Sequence, residues 1–156
     1  MRRRTAQTRQ ALPDPKYNDQ LIGKFIGIIM YEGKKTLAEG IVYNALDILK
    51  KKASDEDVVK VFAKAIENIR PRLQVKSRRV GGSTYQIPME VPPLKGNTIA
   101  LRWIRDLAHA KKGKPMEIKI ADELFAAFKG EGQAIKKRDE THKMAEANQA
   151  FAHLKW

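Results

Sequence analysis

The chain has 156 residues, 42% of them hydrophobic, and 31 Lys and Arg against 18 Asp and Glu give a formal net charge of +13. That length argues for one domain with a real core, and the cationic surplus attracts polyanions, nucleic acid first, although an acidic membrane surface or acidic protein also fits charge alone. The absence of cysteine excludes disulfides and thiolate metal sites, the apolar run Phe25 to Tyr31 falls far short of the ~20 residues of a membrane span, and RRRTAQTRQ has no apolar stretch behind it to make a secretory signal. These bounds describe a soluble, intracellular binder of anions.

In chain order, residues 1–16 form a basic extension carrying Arg2, Arg3, Arg4, Arg9 and Lys16 against the single acid Asp14. Pro13 and Pro15 stop any helix there, and a segment so charged is expected to be disordered alone and to order on a partner. The contiguous Arg triplet favours phosphate contact over a merely solubilising tail. From Asp19 the apolar period becomes helical, with Leu21, Ile22, Phe25, Ile26 and Ile29 on one stripe that ends near Gly33. Thr36 with Glu39 predicts a capping box for a second helix, whose stripe is Leu37, Ile41, Ala45 and Ile48, flanked by Val42 and Leu49. Ser54 and the acids Asp55 to Asp57 predict the start of a third helix, buried through Val58, Phe62, Ile66 and Ile69 and ended by Pro71. These stripes read as core rather than as a cofactor box.

Residues 72–91 change character. Val75 to Arg79 and Ser83 to Val91 place β-branched and aromatic residues at alternating positions, and Gly81-Gly82 suits a tight hairpin. With the two glycines as the loop, Arg78 faces Tyr85, Lys76 faces Ile87 and Gln74 faces Met89, while the other face pairs Arg79 with Thr84, Ser77 with Gln86 and Val75 with Pro88. A longer loop would instead gather Leu73, Val75, Tyr85 and Ile87 on one side. In either register Pro88 removes a ladder donor, which suits an edge or a bulge. In the first, neither face is cleanly apolar, so the ribbon cannot lie on a core along its full length. An isolated ribbon is marginal in water. Arg70 to Val80 holds five basic residues and no acid, so a negative partner stabilises this surface. Arginine grips phosphate or stacks on a base, and Tyr85 adds a stacking face.

After the arm, Pro92-Pro93 breaks the chain and Asn97 or Thr98 opens a fourth helix, with Leu101, Ile104 and Leu107 inward and Trp103 beside them. The loop KKGKP contributes Lys111, Lys112 and Lys114, and Pro115 stands at a first helical position. Ile120, Leu124 and Phe128 make a fifth stripe, stopped by the GEG of Gly130 to Gly132. Residues 134–156 form a basic, weakly amphipathic sixth helix and tail, with Ile135, Met144 and Ala147 its apolar members.

Recognisable catalytic patterns are missing. Gly27 to Thr36, GIIMYEGKKT, has five residues between its glycines and Lys35 where a phosphate-binding loop needs Ser or Thr. His109, His142 and His153 lack metal-ligand spacing, and His142, among basic residues, is available to donate to phosphate. No nucleophile elbow and no distinctive carboxylate pair is found. Neither an enzymatic role nor a cofactor is expected.

The motifs VKSRRVGGSTYQIPMEV (Val75–Val91), IALRWI (Ile99–Ile104) and AIKKRDETHKMAEANQAFAHLKW at the C-terminus resemble the bacterial-type small-subunit ribosomal protein S-seven family. So do the basic N-terminus, LPDPKY at Leu12 to Tyr17, GKK at Gly33 to Lys35 and ENIRPR at Glu67 to Arg72. The resemblance implies a mainly α fold, a bundle of about six helices with one protruding two-stranded β-hairpin arm, acting as a single ribosomal RNA-binding domain. It implies a primary assembly protein that binds the 3′ major domain of 16S-type rRNA and organises the head of the cytoplasmic small subunit. The arm is then expected at exit-site tRNA and the mRNA path, with proteins S-nine and S-eleven as neighbours, and repression of its own operon is part of the family's repertoire. Matching positions make Arg2, Arg3, Arg4, Lys34, Lys35, Lys136, Lys137, Arg138 and Lys143 rRNA contacts, to which Arg9, Lys111, Lys112, Lys114 and His142 are added. Arg78, Arg79, Gly81, Gly82 and Tyr85 make the arm's contact set. One departure is visible: where many relatives carry two adjacent basic residues after the prolines, this chain has Lys95-Gly96.

Two other readings compete. An architectural DNA-binding protein would use the ribbon as a minor-groove clamp, but such clamps wedge an apolar residue or proline at the tip, and this tip is Gly-Gly. An enzyme of RNA metabolism would need an acid–base or metal constellation that cannot be named.

Overall fold

The computed structural model describes residues 11–54 and 57–154. In order they form α1 (Gln20–Ile29), α2 (Lys35–Lys52), α3 (Val58–Ile69), β1 (Leu73–Val80), β2 (Ser83–Glu90), α4 (Pro93–Ala110), α5 (Met116–Phe128), α6 (Gln133–Ala147) and a 3₁₀ helix, Gln149–Leu154. The mainly α expectation of about six helices and one hairpin arm holds.

One core joins the helices. The α5 helix is central, packed against α2, α3, α4 and α6, and its Ile120, Ala121, Leu124 and Ala127 are fully buried. Phe25 of α1 and Phe62 of α3 meet within this core with ring centroids 5.7 Å apart. The α1 helix starts where expected, because the Asp19 carboxylate accepts from the Ile22 N–H at 2.9 Å and satisfies one of the four orphan donors of the first turn.

Several helix boundaries and faces differ from expectation. The Thr36–Glu39 capping box does not form: α2 begins at Lys35, Thr36 lies inside it, and no side chain caps it. The entry is instead a backbone turn through Glu32 and Gly33, both at positive φ (51° and 72°), and Glu39 pairs with Lys35 at 3.6 Å. The buried face of α2 is Ala38, Val42, Ala45, Leu46 and Leu49, while Leu37 is 61% exposed. The face is thus centred on Val42, Leu46 and Leu49 with small Ala38 and Ala45 among them, and Ile41 and Ile48 pack against the core while staying partly exposed. Ser54 does not cap α3; Asp57 does, accepting from the Val59 N–H at 3.1 Å. Pro92-Pro93 opens α4 rather than breaking the chain ahead of it: Pro93 is its first residue, where its φ is already helical and its missing donor is no loss. In α6, Met144 is 52% exposed and the buried members are Ala134, Ile135 and Ala145.

The end of the basic extension is docked, which corrects the expectation that all of residues 1–16 are disordered alone. Asp14 is buried, accepts from the N–H groups of Lys16 (3.1 Å) and Tyr17 (2.9 Å), and accepts from the Tyr43 hydroxyl at 2.6 Å. Burial, with the Asp14 hydrogen bond, pushes the Tyr43 hydroxyl well above the usual tyrosine range. Gly23 makes the docking possible: a Cβ there would stand 2.4 Å from the Leu12 carbonyl oxygen.

The hairpin has the two-glycine register. Pairs run from Leu73↔Glu90 to Val80↔Ser83, including Arg78↔Tyr85 and Val75↔Pro88. Gly81 and Gly82 both take positive φ (56° and 92°), the conformation a tight primed turn demands. Pairs in an antiparallel ladder alternate between hydrogen-bonded and not. Counted from the loop, Val75↔Pro88 falls at a non-bonded position, so the proline costs no rung. The arm rests on α6 and the 3₁₀ helix.

Candidate nucleic-acid interface

The basic side chains singled out in the sequence fall into two groups on the body, and a third on the arm. Arg2, Arg3, Arg4 and Arg9 lie outside the described residues.

The first group stands at one end of the bundle, where the α1–α2 turn carries Lys34 and Lys35 and the α4–α5 loop carries Lys111, Lys112 and Lys114. Lys34 pairs with Glu32 at 2.9 Å, both well solvated, and the exposed Lys114 pairs with the half-buried Asp122 at 3.5 Å. Pairs of this kind are worth ~0–1 kcal/mol, so a phosphate displaces the carboxylate at little cost. Lys111 differs: it pairs with Glu123, which is only 3% exposed and whose other carboxylate oxygen has no partner. Withdrawing Lys111 would strand a buried charge, so it serves the fold. Lys112 makes no ion pair or side-chain hydrogen bond among the described residues.

Between the two loops lies a groove of ≈ 660 Å³ with an apolar floor that includes Ile28, Ile41 and Met116. Its lining adds the 77% exposed Tyr31, the cations Arg105 and Lys119, and His109, with no acid among the lining residues. The Arg105 guanidinium is held by Asp106 at 2.7 Å and 2.9 Å and by the Ile28 carbonyl at 3.5 Å. Sequence reasoning missed this groove. Its signal was the apolar run continuing past Ile29, which leaves Met30 and Tyr31 beyond the end of α1 with no core to enter.

The second group lies on α6. Lys136 and Lys143 are exposed, and Lys137 sits over the Trp103 ring, 5.6 Å from its centroid. The structure gives the other two intramolecular partners. Arg138 donates to the Asn68 carbonyl near the end of α3 and to Asp139. The His142 Nε2 accepts from the Arg72 N–H at 2.9 Å, tying α6 to the start of the arm, so that nitrogen does not donate to phosphate in this arrangement.

On the arm, alternation divides the contact set. Arg79 and the Gly81-Gly82 loop are exposed. Arg78 and Tyr85 face the body: Arg78 Nη1 donates to the Leu154 carbonyl at 2.6 Å, and Tyr85 meets Phe151 with centroids 5.3 Å apart. At the foot of the arm Gly96 is buried, and a Cβ there would come within 2.7 Å of the Arg70 side chain. That contact gives a packing reason for glycine at this position.

Among the described residues no helix is long and apolar enough to cross a membrane, and no three His, Asp or Glu side chains gather as a metal site. The surface is suited to binding an extended anion by solvated lysines, with an aromatic and apolar cleft for an unstacked base.

The family model for ribosomal protein S7p/S5e matches residues 1–149. The chain is 53% identical to small ribosomal subunit protein uS7 of Thermotoga neapolitana and 52% identical to that of Thermotoga maritima, over 100% of both chains in each case. It is 50% identical to that of Colwellia psychrerythraea over 99% of each. The protein therefore belongs to the ribosomal protein S7p/S5e family.

Proposed function

We propose that this protein binds the 3′ major domain of 16S-type rRNA through the loop end of its helical body and through α6, nucleates assembly of the subunit head, and extends its arm to exit-site tRNA and the mRNA path. Membership of the family makes it a cytoplasmic structural constituent of the small ribosomal subunit and not an enzyme. What carries the finer reading is the division of its cations. Lys34, Lys35, Lys112 and Lys114, near the apolar groove, and Lys136 and Lys143 on α6 are solvated and either unpaired among the described residues or held only by weak surface pairs. Phosphate contacts supply affinity and orientation, whereas stacking and base-edge contacts in unpaired RNA supply selectivity. The exposed Arg79 and Gly81-Gly82 loop support a second contact away from the body, beside neighbours such as proteins S-nine and S-eleven. Repression of its own operon would use the same body surface on messenger RNA.

Binding of the purified protein to the isolated 3′ major domain, across a salt series and with equal masses of tRNA or duplex DNA as competitors, tests the proposal. Tight binding that survives both competitors is expected. Equal competition by duplex DNA would mean that charge alone drives binding and would overturn the specific rRNA site.

A further inference from the structure

We infer that the 3₁₀ helix Gln149–Leu154 is the positioning element of the arm, with Phe151 and the Leu154 carbonyl as its two grips. Arg78 and Tyr85 then serve to aim the arm, and Arg79 with the Gly81-Gly82 loop is left to make the contact. A two-stranded ribbon is marginal by itself, and this one has one supported face. Ile87 is 2% exposed and Tyr85 and Arg78 are half-buried on that face, while Ser77, Arg79, Thr84 and Gln86 on the other are exposed.

The supports are ordered along the arm. At its foot the Arg72 N–H is held by His142 of α6 at 2.9 Å. Farther out, Phe151 meets the Tyr85 ring at 5.3 Å, and the Leu154 carbonyl accepts from Arg78 at 2.6 Å. Arg78 and Tyr85 are cross-strand partners, so the 3₁₀ helix grips both strands at a single rung. Only the pairs Arg79↔Thr84 and Val80↔Ser83 lie beyond that rung before the loop. The direction of the tip is thus set at its last supported rung, from a segment about 70 residues away in sequence.

The brace stands on geometry alone; its consequence for RNA rests on the proposed function. Two readouts on full-length protein keep them apart. Amide hydrogen exchange is measured for wild type, Phe151→Ala and Phe151→Tyr, with α3 as the internal reference. Removing one aromatic pair is expected to raise exchange in the outer hairpin, residues 77–87, about three- to tenfold. Exchange in α3 should stay unchanged, and Phe151→Tyr should restore protection. Unchanged hairpin exchange, or an equal rise in α3, would overturn the brace. A photo-crosslinker attached through Ser83→Cys in assembled subunits reads the consequence. Phe151→Ala should spread its crosslinks over more tRNA and mRNA nucleotides than in wild type. A changed exchange pattern with no crosslinks to either RNA in any variant would leave the brace standing and sink the arm's proposed target.

Discussion

Two aromatic pairs separate the body from the arm. Phe25 and Phe62 meet at 5.7 Å and neither reaches solvent, whereas Tyr85 and Phe151 meet at the similar distance of 5.3 Å with both rings partly exposed. In the body that contact is one among many, since residues from every α-helix join a single buried cluster. In the arm it is one of three named supports, and Ile87 is the strands' one buried side chain. The same contact therefore has different consequences: removing it from the core is felt by the whole fold, and removing it from the arm is felt by the arm's direction.

Substitution in the core should show the largest effect. Phe62→Ala removes a fully buried ring and is expected to destabilise the protein by about 3–5 kcal/mol, read as a shift of the urea midpoint with arm and body unfolding together. Separate transitions would show that the two regions are less coupled than their shared α6 implies.

A middle-sized effect is expected where the basic extension docks. Tyr43→Phe leaves the buried Asp14 carboxylate without its 2.6 Å donor, at a cost of about 1–3 kcal/mol for an under-satisfied buried group. Thermal denaturation gives the size, and faster proteolysis within residues 11–17 is the local sign. A variant as stable as wild type would mean that the two backbone donors to Asp14 suffice.

The solvated ion pairs of the body should matter less, and with a definite pH dependence. The hydrogen bond from Lys52, aided by the charges of Lys52 and Lys114, outweighs partial burial and holds the Asp122 carboxyl below its ordinary value. A carboxyl depressed on folding contributes stability above its unfolded pKa of about 3.9 and loses it as pH falls through the folded value. Asp122→Asn should therefore be slightly less stable than wild type at neutral pH, with the difference fading below about pH 4. A difference that grew on acidification would contradict the assigned cause.

The smallest effect on stability is expected on the exposed face of the arm. Arg79→Ala should leave stability within about 0.5 kcal/mol of wild type, while reducing crosslinks from the tip to tRNA or mRNA. Failure of subunits to assemble with this variant would assign the arm to assembly instead.

The same contrast explains what could be read from the sequence. The hairpin itself was legible in its Gly-Gly turn, but the register stayed open between two loop lengths. The two-residue loop forms, with both glycines at positive φ, and fixes every pair behind it down to Val75↔Pro88. The core face of α2 was legible only in part: Ala45, Val42 and Leu49 lay on or beside the expected stripe, but small Ala38 is buried while the larger Leu37 faces solvent. The start of α4 was missed because proline both ends helices and opens them, and only the fold decides which. Among the cations, residue type and clustering were legible, but commitment was not. Lys111 is held by a buried Glu123, Arg138 by the Asn68 carbonyl and His142 by the Arg72 N–H, each partner coming from a different element.

The central claim is that the body's solvated lysines hold rRNA while the arm does not. It is tested most directly by the salt dependence of binding to the isolated 3′ major domain for wild type, a Lys34→Ala, Lys35→Ala, Lys112→Ala triple variant, and Arg79→Ala. The account predicts that the triple variant binds more weakly and that its log–log slope falls by about 0.7–0.9 for each phosphate no longer neutralised, with Arg79→Ala indistinguishable from wild type. An unchanged slope in the triple variant with a reduced one in Arg79→Ala would contradict it, and would move the rRNA site from the body to the arm.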